Sequence, residues 1–305
     1  MSRGPAVVEC VPNVSEGRDR NVVDRLGATV RRTGARLMNV HADPDHHRSV
    51  FSFLGSPDVI TDAALALAAD VFATLDMRHH HGSHPRVGAL DVLPFVPLAG
   101  VTMDEVVALA HAVGRTLAEH HGVPVYFYGH AAMGDHRRRL PEARRGGYEA
   151  LAARLATPEG RPDAGPPRFD PRAGAVLVGA REVLVAYNVW LESTDLEAAR
   201  AIARTVRETS GGLAGLQAIG VPLTSRGLVQ VSMNLVDYRS TPIPVAFDTV
   251  RQEAASRGIA VRRGELVGLA PRAAFAGRAP ESVGLEDFVD ALYLDGHLDA
   301  ALGGR

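Results

Sequence analysis

The order of elements along the chain predicts an α+β protein: a tandem repeat of two ferredoxin-like (βαββαβ) subdomains with a ligand cleft between their sheets. Three observations lead there. Hydrophobic spacing spells strand, helix, strand, strand, helix, strand between residues 6 and 98, and spells it again between 182 and 269. A stretch rich in arginine, glycine and proline, residues 131–173, separates the two series. One strand of the second series alternates short polar side chains with apolar ones, so one face of its sheet is polar. The domains that follow are residues 1–179, which include the long loop, and residues 180–305.

AVVECV at 6–11 is a short apolar run, read as a buried strand, and Pro12, Asn13, Ser15 and Gly17 then form a loop. Residues 19–33 place Val22, Val23, Leu26 and Val30 at helical spacing. Strands at 35–41 and 48–54 flank a polar loop, HADPDHHR. The alanine-rich helix at 57–75 has Pro57 at its start, where a missing N–H costs nothing. A strand at 89–98 precedes a helix at 102–121, whose Thr102 and Glu105 form a capping box, and a strand at 123–128. The segment 131–173 carries one helical pattern, at 148–155, and TPEGRPDAGPPRFDPRAG within it is too proline-rich for a regular interior. A loop of that length in a compact protein is functional or disordered.

In the second half a strand at 182–191 leads to a helix at 194–208, with Thr194 as N-cap and Glu197 completing the box. Paired strands at 215–223 and 228–236 turn around 225–227. A helix at 245–257 ends at Gly258, a strand covers 259–269, and a short helix falls near 285–294. In LVQVSMNLV, Gln230, Ser232 and Asn234 share one face. That face is either solvated or turned to a ligand; the absence of Glu and Arg from it favours the ligand.

Composition excludes several classes. With 46% hydrophobic and 22% charged residues, the chain supports a sizeable core. A net charge of −2 argues against a nucleic-acid partner, and no apolar run approaches the ~20 residues that span a bilayer. The start, MSRGPAVVECVPN, lacks the apolar run of a signal peptide, and the single Cys10 has no internal disulfide partner, so a cytoplasmic location is expected. All 33 basic residues are arginine. Schiff-base, P-loop and general-base lysines are therefore excluded.

The candidate chemistry is concentrated at 76–93, DMRHHHGSHPRVGALDVL. Pro85 pushes His84 out of the α region, and Gly82 permits a sharp turn before it. His84 is therefore presented on a bent, extended backbone. It is either a general acid/base or a turn residue that satisfies backbone groups. His79, His80 and His81 on an extended segment would alternate sides and could not share one metal ion, so no metal site is expected. Arg48, Arg78 and Arg86 suit carboxylates, although each alone reads as a surface arginine. Cys10, in an apolar run, reads as core packing.

Taken together, these motifs resemble the formiminotransferase domain of the formiminotransferase-cyclodeaminase family. ECVPNVSEGRD at 9–19 is similar to that family's opening motif, and DMRHHHGSHPRVGALDVLPFVP at 76–97 to its most specific block. VPVYFYG, LPEARRGGYEAL, DAGPPRFDPRAGAVLVGAR, LQAIG and VQVSMNLVDY follow in the family's order. The resemblance implies two related α/β subdomains, a homodimer, and tetrahydrofolate as co-substrate without a metal. It assigns His84 as the catalytic histidine. It assigns folate binding to Gly165, Pro166, Pro167, Arg168, Phe169, Asp170, Pro171, Arg172, Ala173 and Gly174. His41, Arg48, Arg78, His80, Arg86, Gln230, Ser232 and Asn234 are possible supporting residues.

The reaction it implies moves a formimino group between N-formimidoyl-L-glutamate and tetrahydrofolate through a tetrahedral intermediate, as in histidine degradation. One imidazole would take the proton from folate N5 and return it to the leaving nitrogen. Rival expectations are N-formylglutamate or 5-formyltetrahydrofolate as donor, a non-catalytic folate-binding protein, and a metal-dependent hydrolase. Two positions depart from the family pattern: Ser83 stands where Glu is frequent, and His41 where some members carry an acid. If the family's carboxylate at that position tunes the histidine, the tuning of His84 must come from elsewhere.

Overall fold

A computed structural model describes residues 4–303. Residues 1–3 and 304–305, the outer ends of the two expected domains, lie outside the described residues. The chain forms two compact units, Met1–Glu182 and Val183–Arg305, each with its own sheet and core. The architecture is α+β, as the element order predicts.

In the first unit the expected opening strand is split. β1 (Val7–Cys10) and β2 (Asn13–Val14) are interrupted at Pro12, which has no N–H to give to a ladder. Then come α1 (Arg20–Arg32), β3 (Arg36–Asp43), β4 (Arg48–Gly55), α2 (Pro57–Thr74), β5 (Leu90–Ala99), α3 (Met103–His121) and β6 (Val125–Gly129). Two short helices, α4 (Leu140–Ala143) and α5 (Leu151–Leu155), precede β7 (Val176–Ala180). Asp19 caps α1, Ser56 caps α2 with Pro57 in its first turn, and the Thr102–Glu105 capping box of α3 is complete.

The first sheet has seven strands, where the repeat predicted four plus one appended strand. Its path runs β1-β4-β2-β5-β7-β6, with β3 beyond β4. β7 was not expected as a strand. It enters parallel between β5 and β6 and is buried throughout. A strand covered on both faces shows no alternation, and this one follows a proline-rich loop directly, so no periodicity marks it. On one face, α1, α2 and α3 cover a core that includes Leu26, Phe51, Leu67, Phe95 and Leu117. On the other face, Leu151, Leu155 and Phe169 of the long segment pack on Tyr126, Tyr128 and Leu177. The segment 131–173 is thus part of the first unit's fold.

The second unit contains β8 (Val185–Leu191), α6 (Leu196–Val206), β9 (Leu216–Leu223), β10 (Leu228–Leu235), α7 (Ile243–Ala255), β11 (Val261–Val267) and α8 (Leu294–Ala301). Its four strands are antiparallel in the order β11-β8-β10-β9. Val229, Val231, Met233 and Leu235 pack beneath α6 and α7 with Ile202, Phe247 and Val250. Gln230, Ser232 and Asn234 take the opposite face, in register with Trp190, Asn188 and Ala186 of β8.

The structure departs from two further expectations. The N-cap of α6 is Asp195, not Thr194: its Oδ1 accepts the Ala198 N–H at 3.0 Å, and a carboxylate at a helix start also meets the positive end of the dipole. No α-helix spans 285–294, which holds only a 3-10 turn at Asp290–Leu292. The Ala270 N–H donates to Leu292 O and Ala270 O accepts from Leu294 N, so the backbone there pairs sideways with Ala270. Phe288 and Tyr293 pack edge-on with Phe275. The helix begins only at Leu294. Among the described residues, no helix is long and apolar enough to cross a membrane.

Candidate active site around the histidine loop

The loop from α2 to β5 is built on committed hydrogen bonds. Met77–His79 is a single 3-10 turn capped by Asp76, not extended chain, and it sends neighbouring histidines in different directions. His79 and His81 are exposed and His80 is buried. His80 Nδ1 accepts from Arg86 Nε–H at 3.1 Å, which leaves Nε2 to carry the proton and donate to His47 O at 2.8 Å. Its ring stacks on that of His47 at 4.3 Å. Burial holds its pKa down to about 4. With both nitrogens engaged, His80 is a neutral latch rather than a proton shuttle. Arg86 is equally occupied: it pairs with Glu149 at 2.6 Å and lies over the Tyr148 ring, fastening the loop to the long segment.

Gly82 is needed for space, not for the turn. A Cβ on it would lie 2.2 Å from His46 O and 2.9 Å from His47 Cβ. The β3–β4 connection therefore touches the bare backbone of the histidine loop, and both Ser83 N and Ser83 Oγ donate to Asp45 O. Ser83, at the position where Glu is frequent in the family, docks the loop. Gly82→Ala is expected to lower stability by about 1–3 kcal/mol through overpacking, and to displace His84. A fall in the thermal midpoint would show it. An unchanged midpoint would mean that the contact is not tight.

His84 is half-buried on a bend, as its position before Pro85 predicts. Its Nδ1 lies 2.8 Å from Pro85 O, an acceptor, so Nδ1 carries the proton. That leaves the Nε2 lone pair, and among the described residues no hydrogen bond is made to it. The ring of His46 stands 5.5 Å away. Burial, and after it the positive charges of Arg48 and Arg144, push the imidazole well below its ordinary range. The result is a neutral histidine with one open basic nitrogen beside cationic neighbours.

Those neighbours meet at Asp91, a residue that sequence reasoning missed. Asp91 is fully buried. Its Oδ2 accepts from Arg48 Nη1 at 2.6 Å and Arg144 Nη2 at 2.8 Å, and its Oδ1 accepts the Val87 N–H at 2.7 Å. Asn13 Oδ1 receives Nε and Nη2 of the same Arg48. Burial pushes Arg48 down to about 10, against the pull of Asp91. The signal was available: ALDVLPF sets one carboxylate in an apolar strand, and a buried charge requires a partner. Arg144 was hidden among the many arginines of the long segment.

The segment Gly165–Gly174 is brought against the histidine loop. Arg172 O accepts the Met77 N–H, Ala173 O accepts the Ala89 N–H, and Pro171 O accepts the Tyr148 hydroxyl. Gly88 bridges to Gly174, and a Cβ on Gly88 would stand 2.2 Å from Ala175 O. Phe169 packs on Tyr148, while Pro167 and Arg168 are exposed. Arg78 is an exposed partner of Asp76. His41 lies on β3 opposite Val50, two positions from the Asp43–Arg48 register pair. Gln230, Ser232 and Asn234 belong to the second unit. There, Glu265 Oε2 accepts from Asn188 Nδ2 and Trp190 Nε1 on the same face. Among the described residues no three His, Cys, Asp or Glu side chains gather as a metal group.

Comparison with known proteins gives two family matches: the formiminotransferase domain, N-terminal subdomain, over residues 7–181, and the formiminotransferase domain over 186–280. The chain is 43% identical over 275 residues to formimidoyltransferase-cyclodeaminase of Gallus gallus, covering 88% of this chain and 51% of that one. It therefore spans about half the length of such relatives. It is 38% identical to glutamate formimidoyltransferase of Streptococcus pyogenes serotype M1, covering 92% of this chain and 95% of that protein. With the glutamate formimidoyltransferase of Thermoplasma acidophilum the identity is 38%, over 97% and 98% of the two chains.

Proposed function

This chain belongs to the formiminotransferase family, and on that premise we propose that it transfers a formimino group from N-formimidoyl-L-glutamate to tetrahydrofolate, with His84 moving the protons. The observation that carries the reading is the state of His84: neutral, anchored through Nδ1, with Nε2 open beside two arginines. Folate N5 attacks the formimino carbon, and a C–N5 bond forms as the carbon becomes tetrahedral. Nε2 takes the N5 proton. It returns that proton to the glutamate nitrogen as the old C–N bond breaks, so the imidazole ends neutral. Holding both substrates together supplies much of the remaining acceleration.

The segment Gly165–Gly174 is the proposed folate-binding stretch, supported by its hydrogen bonds to the backbone around His84. Residues 1–179 and 180–305 are the proposed subdomains of a cytoplasmic homodimer. Gln230, Ser232 and Asn234 are proposed to contribute from the polar face of the second sheet.

The test is a spectrophotometric transfer assay on the purified chain, with tetrahydrofolate as acceptor for the two glutamate donors and glutamate as acceptor for 5-formyltetrahydrofolate. Formiminoglutamate is expected to be turned over faster than N-formylglutamate or 5-formyltetrahydrofolate, and activity is expected to survive exhaustive chelation. Preference for a formyl donor would reassign the substrate. Folate binding with no transfer from any donor would make this a binding protein, and loss of activity on chelation would overturn the metal-free mechanism.

A further inference from the structure

The cluster around Asp91 is unbalanced. Arg48 and Arg144 bring two positive charges to one carboxylate whose oxygens are already filled by the two arginines and the Val87 N–H. Buried ions are ordinarily matched and fully hydrogen-bonded, because an unpaired charge or donor away from water is costly. Arg48 meets much of that requirement, spending three of its nitrogens on Asp91 and Asn13.

Arg144 does not. A guanidinium has five N–H donors. Among the described residues, the Arg144 side chain makes one hydrogen bond, from Nη2 to Asp91, and its Nε is buried without a partner. Its side chain is 12% exposed, and that exposure does not reach Nε. Arg137, seven residues earlier, shows what a structural arginine looks like here. It reaches Asp163, the Glu159 and Arg161 carbonyls and the Tyr126 ring. Arg144 has the geometry of a group held ready for a missing acceptor. The surplus positive charge says that the acceptor is an anion, and a planar fork with donors still unspent matches a carboxylate.

We propose that Arg144, seated beside Arg48 on Asp91, binds a carboxylate of the substrate next to His84. This rests on the function proposed above, in which both substrates carry carboxylates. Asp91 fixes the fork in advance, so little freedom is lost when the ligand arrives. A consequence follows for the reaction. Burial is the larger cause of the depressed imidazole, and the surplus charge adds to it; a seated carboxylate cancels that second part, so His84 becomes a stronger base when the anionic substrate is in place.

Arg144→Gln is a fair test, because Asp91 keeps Arg48 and the cluster becomes neutral. The variant is expected to fold with an unchanged thermal midpoint, and Arg144→Lys to recover part of any loss. The carboxylate can come from the formimino donor or from the glutamyl end of folate. A rise of about 10- to 100-fold in KM for formiminoglutamate alone identifies the donor. A similar rise for tetrahydrofolate alone, absent with tetrahydropteroate, identifies the folate. Both results support the carboxylate seat. Unchanged KM for both substrates in a folded Arg144→Gln protein overturns it while leaving the proposed reaction standing. Glutamate binding by calorimetry gives a readout independent of turnover. If wild type shows no transfer yet binds glutamate through Arg144, the reaction fails and the seat stands.

Discussion

Asp91→Asn is expected to destabilise the first unit by roughly 3–5 kcal/mol, the cost of breaking a buried charge cluster from one side. The carboxylate is fully buried, and it is the shared partner of two nearly buried arginines. An amide of the same size can still accept one bond, but it cannot answer either charge. Arg48 and Arg144 are then two cations facing each other across a neutral group, and the Val87 N–H competes for the same acceptor. A lowered urea midpoint at constant slope would report the loss. Adding Arg144→Gln to Asp91→Asn should recover part of it, because one uncompensated charge leaves with the second substitution. If Asp91→Asn unfolds at the wild-type midpoint, the cluster is not an anchor of the unit. Asp91 would then not be what holds Arg144 ready.

The parts of this protein that were legible in its sequence are those with a local cause. The Thr102–Glu105 box, Pro57 at a helix start and the apolar stripe of α1 each express a rule that acts within a few residues. The polar face of β10 followed from period two alone. The bend at His84 followed from the proline after it. What was not legible is what long-range packing decides. β7 has no alternation because both of its faces are covered. The Asp91–Arg144 contact joins residues 53 apart, and nothing in the spacing of the long segment singles out one arginine from its neighbours. Gly82 was read as a turn residue because local rules offer that explanation first. The backbone of His46 pressing on it is a tertiary fact. The opening motif acquires its meaning in the same way: Asn13 holds Arg48, Ser15 Oγ donates to Gly88 O, and Gly17 lies under the Asp43 and Arg48 backbone.

His84→Ala is expected to lower kcat for formimino transfer by about 10²- to 10⁴-fold, the usual worth of a positioned acid/base, with stability little changed. Little change is expected because the ring is half-buried and its one hydrogen bond goes to a neighbouring carbonyl, so its removal strands no distant donor. Folate binding should persist, which separates the loss of a proton shuttle from the loss of a site. The pH dependence makes the assignment sharper. The imidazole of the free protein is held below its ordinary value of 6.5, so the basic, neutral form persists to lower pH. The acid limb of kcat/KM, which reports the free enzyme, should therefore fall below pH 6.5. With a carboxylate seated on Arg144, the surplus charge is cancelled and the same group titrates higher. The acid limb of kcat, which reports the bound complex, should then lie at higher pH than that of kcat/KM. In Arg144→Gln the surplus charge is already gone, so the two limbs should draw together. Coincident limbs in the wild type would separate His84 from the arginine cluster. Wild-type rates in His84→Ala would remove the imidazole from the reaction altogether.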